Sequence, residues 1–405
     1  MAGVTGAGKF SAADSTLGYL YQVRLALLWA LRRLKSESDF LVSVETLDDV
    51  AFETADGDIA ELLQTKHHRK GIADLTDSSV DLWKTFRIWF EGHASGRIPP
   101  TAKLYLITTA TAPNGTAASL LRASPRNVAA AQQALDAAAS SSTNKVNLSA
   151  YTAYLGATPS GRGAILEKVV VIDASPTITD LDSELRQEVF WAVGKEHHVP
   201  FLERLEGWWM RRVRLQLTTA TGDRIASSEL EAQMSDLREQ FKQDALPVDD
   251  DLLDFTLDPE TKAAYEGYSF VLQLEIIKAG KRRIAAAIRD YYRAFEQRSR
   301  WLRDDLVVGL DLHKYEKRLC EEWELVFEAM RDNLGDVAAD EAKEHAARSV
   351  LAWAERAAIP IRLNVTEPFV CRGSLHMLAD EAKIGWHPEF SDRLTAILTA
   401  KGATK

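Results

Sequence analysis

Asp49, Gln64 and Lys66 bring a carboxylate, an amide and an ammonium group together within one short stretch of the chain. Gln64 and Lys66 stand two apart in a run of β-formers, so a strand would set both on one face, where a neighbouring hairpin strand can bring Asp49. A carboxylate and an amide carbonyl can hold a divalent cation that polarises a scissile phosphate and activates water. An ammonium group can position the nucleophile or stabilise developing negative charge. Glu45 and Asp48 add two carboxylates in the same hairpin, and the polar run from Gln64 to His68 has no obvious value for packing. The competing reading is a solvated strand end with a paired lysine, because paired charges are usually structural.

Positioning this set falls to a helix and a hairpin. Residues 17–31, LGYLYQVRLALLWAL, read as a helix, with Asp14 or Ser15 as cap and Arg32, Arg33 and Lys35 suited to its negative end. DFLVSVETL, DDVAFET and, after an Asp56-Gly57 turn, IAELLQTKH read as consecutive antiparallel strands. A helix over DSSVDLWKTFRIWFEG, capped by Asp77 or Ser78, and a strand over AKLYLITTA follow. This order predicts an α/β arrangement with one central sheet.

Residues 111–160 are rich in Ala, Ser and Asn and read as an insertion with a small-residue helix over 128–139. ILEKVVVIDA then resumes the sheet pattern, and DSELRQEVFWAVG and VPFLERLEGWWMRRVRLQL close a first domain expected over 1–220. A second, mainly helical domain is expected over 227–405, with a long basic helix around Tyr268 to Leu306 and amphipathic helices over Leu312–Leu334 and Val337–Ala358. The segments IRLNV and FVCRGSLHMLADEAKIGWHPEF interrupt that helicity.

Composition narrows the class. At 405 residues the chain exceeds what one core usually supports, and 46% apolar with 27% charged residues excludes a wholly disordered chain. The opening MAGVTGAGKF lacks the apolar run of a signal peptide, and no stretch nears the ~20 apolar residues of a membrane span. A cytoplasmic protein without membrane contact is therefore expected. Cys320 and Cys371 have no zinc-like spacing and read as core thiols. A net charge of −10 argues against indiscriminate coating of nucleic acid but leaves room for a local basic groove. Lys66, Arg69 and Lys70 cluster beside His67 and His68, and Lys278, Lys281, Arg282, Arg283, Arg289 and Arg293 crowd one later helix.

Other motifs have plainer readings. Gly3 to Lys9 spells the start of a phosphate-binding loop, but Phe10 replaces the magnesium-binding hydroxyl and no strand precedes it, so a Gly-rich terminus is expected. Strand alternation separates His67 from His68, so only His68 shares the face of Gln64 and Lys66, as a residue supporting the site from behind. His197 and His198 precede a proline and are expected on a surface turn. Tyr291, Tyr292, Phe295 and Trp301 mark the basic helix as half-buried, with its arginines on acidic neighbours or a partner subunit, and phosphate tracking as the alternative. His387, in Trp-His-Pro, is expected to fix a backbone bend.

GYLYQ (Gly18 to Gln22), VETLDDV (Val44 to Val50) and LLQTKHH (Leu62 to His68) resemble, in order and element, the N-terminal endonuclease domain of certain bacterial anti-phage effectors. These form a branch of the PD-(D/E)xK superfamily, found in effectors of cyclic-oligonucleotide (CBASS) signalling and in ABC-type three-component systems of the Lamassu kind. GSLHMLADEAKIGWHPEF, and Gly385 to Pro388 above all, resembles the C-terminal part of the three-component effectors. The fold so implied is an α/β restriction-endonuclease-like N-terminal domain plus a mainly α-helical C-terminal domain.

By that resemblance Asp49 is the metal-binding Asp, Gln64 replaces the usual acidic residue, Lys66 is the catalytic lysine, and Glu45 is a further ligand or positioning group. Gln22 matches the polar residue of the first helix that approaches the same site, and Lys66, Arg69 and Lys70 would meet DNA. Magnesium, with manganese as substitute, is the implied cofactor and double-stranded DNA the substrate. The implied partners are an SMC-like ATPase and a small third subunit that hold the nuclease inactive until its release and self-association as a homo-oligomer, with a tetramer favoured. Two rivals stand beside this: a catalytically inactive structural or adaptor subunit, because Gln64 removes a ligating charge, and an RNA-directed nuclease of the same fold.

Overall fold

The computed structural model describes residues 12–67, 74–142, 144–219, 223–335 and 338–402. α1 (Ala12–Leu34) leads into β1 (Phe40–Val44), β2 (Val50–Thr54) and β3 (Ile59–Lys66). Their β-branched and aromatic residues suit a covered, pleated surface, and the three pair antiparallel in sequence order. Gly57 takes φ 87° in the β2–β3 turn, which glycine does without strain. α2 (Val80–Ala94) brings the chain back so that β4 (Lys103–Thr108) runs parallel to β3, with Gln64 opposite Leu106 and Lys66 opposite Thr108.

Four helices, α3 (Ala117–Leu120), α4 (Val128–Ser141), α5 (Leu148–Gly156) and α6 (Pro159–Leu166), cross to β5 (Val169–Ile172), which is parallel to β4. α7 (Leu181–Glu188), α8 (His198–Thr218), β6 (Ile225–Ala226) and α9 (Ser227–Gln240) follow. Among the described residues the sheet order is β5-β4-β3-β2-β1-β6, so pairing changes from antiparallel to parallel at β3.

Both faces of the sheet are covered. On one, Ala51 and Leu62 join Trp83, Phe86, Trp89, Tyr151 and Tyr154 in an apolar core. On the other lies α1, whose Arg33 bonds Glu61 at 2.6 Å and stands 5.2 Å from the Phe52 ring centre, a half-buried charge that is paired and stacked. Trp209 of α8 donates to the Val23 carbonyl at 2.9 Å. Gln216 accepts from the Val44 N–H and donates to the Val44 carbonyl at 3.2 and 2.9 Å, capping the β1 edge where β6 no longer pairs with it.

The chain divides into two compact units, one holding the described residues up to Gly194 and Phe201–Ser235, the other Lys195–Pro200 and the chain from Asp236. The pairing of β6 with β1 carries the first unit past residue 220. The second contains α10 (Asp250–Leu253), α11 (Pro259–Ala264), α12 (Ser269–Ile276), α13 (Lys281–Arg303), α14 (Gly309–Leu334), α15 (Asp340–Ala354), α16 (Pro368–Asp380) and α17 (Phe390–Gly402). Phe270, Leu274, Tyr291, Leu319, Phe327 and Trp386 lie in its core. This is the expected mixed α/β unit followed by a largely helical region. Among the described residues no helix is long and apolar enough to cross a membrane.

Local expectations are corrected at several points. Asp14 and Ser15 lie inside α1 and do not cap it. α2 starts after Ser79, while Asp77 accepts from the Ala117 N–H at 2.7 Å. The Ala-rich stretch, read as loops around one small helix, is helical and packed: its small residues let α4 to α6 close over the core, and Tyr151 and Tyr154 meet Trp83 edge-on at 4.6 and 5.5 Å. The single basic helix is two, because Lys278 at φ 55° ends α12 with Ala279 N–H to Leu274 O and Lys278 N–H to Glu275 O bonds, both 2.9 Å. Within the segment expected to break helicity, residues 368–380 are α16. Gly373 makes that packing possible, since a Cβ there would stand 2.0 Å from Asp290 O and 2.4 Å from Ala294 Cβ of α13. His198 is buried at the start of α8 instead of lying on a surface turn.

Candidate functional site

The proposed chemistry gathers at the turn between β1 and β2 and at the end of β3. Glu45 opens that turn at φ 54°, a left-handed conformation costly for a residue with a Cβ, and its N–H is tied to the Asp49 carbonyl at 3.0 Å. The ladder between β2 and β3 ends at Val50 and Leu63. Beyond it the Asp49 side chain takes over: its Oδ2 accepts from the Thr65 N–H at 2.7 Å and the Thr65 hydroxyl at 2.9 Å. Both bonds fall on one oxygen, which leaves Oδ1 as the second face of the carboxylate.

Gln22, on α1, hydrogen-bonds Glu45, and Glu45 feels the charges of both Asp49 and Lys66. Glu45 is exposed as a residue, but its carboxyl is partly sheltered. That shelter raises its pKa, the negative charge of Asp49 adds to the rise, and the Gln22 bond and the Lys66 ammonium oppose it. Asp48 is pushed up to about 7, first by burial and then by Asp49, against the pull of its Trp89 and Asp49 N–H bonds and of Lys66. Its Oδ2 accepts from Trp89 Nε1 at 2.9 Å and its Oδ1 from the Asp49 N–H at 3.1 Å, so α2 fixes the carboxylate that in turn orients Asp49. Tyr19, raised by burial and by Glu45, stands with Gln22 and Glu45 along an open groove that Ser15, Thr16 and Gly18 extend.

Gln64 and Lys66 share a strand face, as their spacing predicts. Gln64 is only 3% exposed, and among the described residues its Oε1 has no hydrogen-bond partner, a costly state for a buried carbonyl. Gln22 Oε1 is in the same condition. Among the described residues no three His, Cys, Asp or Glu side chains are grouped to hold a metal. The oxygen set available is two carboxylates, Asp49 and Glu45, with the Gln64 amide. Carboxylates are hard donors of the kind magnesium or manganese takes, and a cation between Glu45 and Asp49 would relieve the repulsion between them.

His67 packs on Tyr21 with ring centres 4.8 Å apart, while His68, Arg69 and Lys70, like Gly3 to Lys9, lie outside the described residues. Thr65 and Trp89 are the participants that the sequence pattern does not single out. Tyr19 could be found from its spacing three residues before Gln22 on one helix face, whereas nothing in the sequence ties Trp89 to Asp48. On α13, Arg283 holds Glu355 at 2.7 and 2.8 Å, Arg300 holds Asp251 at 2.7 Å twice, Arg298 bonds Glu316, and Arg293 bonds the carbonyls of Leu252 and Leu253. These arginines are taken up by contacts within the protein. His387, 1% exposed, accepts from the Glu389 N–H at 3.1 Å and so fixes a bend.

The fold and the site together describe a mixed α/β unit with a cluster of acidic and basic groups at one sheet end, joined to a helical unit. Residues 270–394, in the helical unit, match the family described as C-terminal domain 7 of the ABC-three component (ABC-3C) systems. The chain thus carries a C-terminal domain of that kind. Curated proteins provide no match. Among solved structures, the chain is similar to the Acinetobacter baumannii Cap4 SAVED/CARF-domain containing receptor with the cyclic trinucleotide 2'3'3'-cAAA, at 12% identity and a TM-score of 0.32 over 72% of this chain and 67% of that one. A likeness at that score defines no shared site.

Proposed function

We propose that this chain is the nuclease effector of an ABC-three component defence system and hydrolyses DNA phosphodiester bonds with magnesium, or manganese in its place. The observation that carries the reading is the meeting of Gln22, Glu45, Asp49 and Lys66 where strand pairing changes, with the buried Gln64 carbonyl, unbonded among the described residues, one strand repeat from Lys66. Asp49 Oδ1, Gln64 Oε1 and the Glu45 carboxylate would hold the cation, which supplies Lewis-acid charge to a phosphate oxygen when bound. Lys66 orients the attacking water or meets the charge that develops on phosphate. Gln22 keeps Glu45 in place, and the groove beside Tyr19 gives the DNA backbone access. Arg69 and Lys70 follow Lys66 in sequence and add phosphate contacts.

The match of residues 270–394 supports the assembly side of the proposal. An SMC-like ATPase and a small third subunit restrain the chain, and release allows it to self-associate, as a tetramer, into the active form. The two hydrogen bonds that Thr65 donates to Asp49 favour a second reading, in which Asp49 is only a strand latch and the chain is an inactive adaptor. Plasmid cleavage with magnesium separates the two: wild type should cut, and Lys66→Ala and Asp49→Ala should not. Equal cleavage by all three proteins rejects the site, and no cleavage by wild type freed of its partners supports the adaptor. Parallel digestion of DNA and RNA fixes the substrate.

A further inference from the structure

The second unit contains a positively charged cavity that the nuclease reading does not use. It runs between the first turns of α13 and the face of α16, has a volume of about 310 Å³, and reaches the size of small-ligand sites. Four guanidinium groups line it, Arg282, Arg283, Arg289 and Arg372, against two carboxylates, Asp290 and Glu355. Arg283 is matched by Glu355 and Arg372 bonds Asp290 at 2.6 Å. Arg289 is left with one 3.5 Å contact to Asp290, and among the described residues its sheltered Nε has no partner. Arg282 makes no ion pair among the described residues. Four guanidinium groups against two carboxylates leave the lining with a net excess of two positive charges.

His376 lines the same cavity. It is 4% exposed, and among the described residues its Nδ1 has no hydrogen-bond partner. Burial, with Arg372 adding, holds its pKa down to about 3, so it lines the cavity as a neutral imidazole. A buried nitrogen without a partner is costly unless something completes it. The placement of Lys281, Arg282 and Arg283 in the first turn of α13 is likewise unfavourable for the helix alone, because that end already carries partial positive charge. An anion with several acceptor oxygens relieves the charge crowded at this helix end.

We propose that the α13–α16 cavity is a phosphate-binding site, in which Arg282 and Arg289 hold a phosphate group over the buried imidazole of His376. Guanidinium groups pair with phosphate oxygens through directed, charge-assisted bonds, and the two arginines with weakest protein partners are the ones available to do so. The phosphate can belong to a free nucleotide or to a nucleic-acid backbone.

The test is calorimetric titration of the full chain with inorganic pyrophosphate in EDTA, where the proposed cleavage is silent, so that failure here leaves the nuclease reading untouched. Wild type should bind saturably, and Arg282→Gln with Arg289→Gln should weaken binding roughly 100-fold, about tenfold for each charge-assisted bond removed. Arg303→Gln, a change to an exposed arginine beside Asp304, should bind as wild type does. Competition by ATP alone assigns the site to free nucleotides, and competition by a short DNA duplex assigns it to backbone phosphate. Absence of saturable binding by wild type to pyrophosphate, ATP and duplex overturns the proposal, as does equal binding by a double variant whose unfolding midpoint matches wild type.

Discussion

Asp49→Asn is the substitution that separates a metal ligand from a strand latch. Asp49 Oδ2 takes two bonds from Thr65, the N–H at 2.7 Å and the hydroxyl at 2.9 Å, and Thr65 is 6% exposed. In Asp49→Ala the Thr65 N–H is left sheltered without an acceptor, which costs about 1–3 kcal/mol, and the hydroxyl bond adds about 0.5–1.5 kcal/mol. For a unit of this size that corresponds to a fall of roughly 3–18 °C in its unfolding midpoint. In Asp49→Asn the amide oxygen can still accept from Thr65, so the midpoint should move by less than about 3 °C. The charge, however, is gone. If Asp49 holds a cation, cleavage should fall about 10²- to 10³-fold, equivalent to ~3–4 kcal/mol of transition-state stabilisation. Plasmid nicking with magnesium and thermal unfolding, run on wild type and both variants, read the two effects separately. Cleavage by Asp49→Asn within threefold of wild type would refute the ligand role, and a variant as unstable as Asp49→Ala would refute the idea that the amide takes over the latch.

Gly373→Ala should lower the stability of the helical unit by about 1–3 kcal/mol in spite of alanine's better helix propensity, because the new methyl meets the α13 backbone at 2.0 Å; an unchanged denaturation midpoint contradicts the packing described. Asp48 supplies a pH signature. Its folded pKa, about 7, lies above the ordinary 3.8, so the folded state is favoured while Asp48 is protonated and loses up to about 4 kcal/mol as pH rises from 4 to 7. Wild type should therefore lose stability relative to Asp48→Asn across that window in urea titrations, and a pH-independent difference rejects the shift. Glu45→Gly should relieve the φ 54° strain and stabilise the first unit by about 1 kcal/mol while abolishing cleavage, and loss of stability on heating would show that the turn is not strained.

Much of the first unit is legible in the sequence because its signals are local. The Asp56-Gly57 turn and the alternation on each side of it mark β2 and β3, and Gly57 takes the positive φ that such a turn needs. The two-residue spacing of Gln64 and Lys66 carries directly into a shared strand face. What escapes depends on distance in the chain. Trp89 reaches Asp48 from α2, and Thr65 receives Asp49 because the backbone ladder stops one step earlier. α16 is hidden by Gly373, Ser374 and His376, residues that look like loop until the close approach of α13 is known. The Ala-rich helices mislead for a similar reason, since small residues signal looseness in sequence and close packing in a core.

The arrangement of the β1–β3 hairpins also bears on the order in which the site comes into being. Tyr19, Gln22, Glu45, Asp48, Asp49, Gln64, Thr65 and Lys66 all come from one short stretch of chain, and contacts so near in sequence form early. Trp89 arrives later, with the docking of α2 on the sheet. Until then Asp48 is hydrated and behaves as an ordinary carboxylate. Closure of the apolar core over Asp48 is thus the step that sets its protonation apart from that of its neighbours.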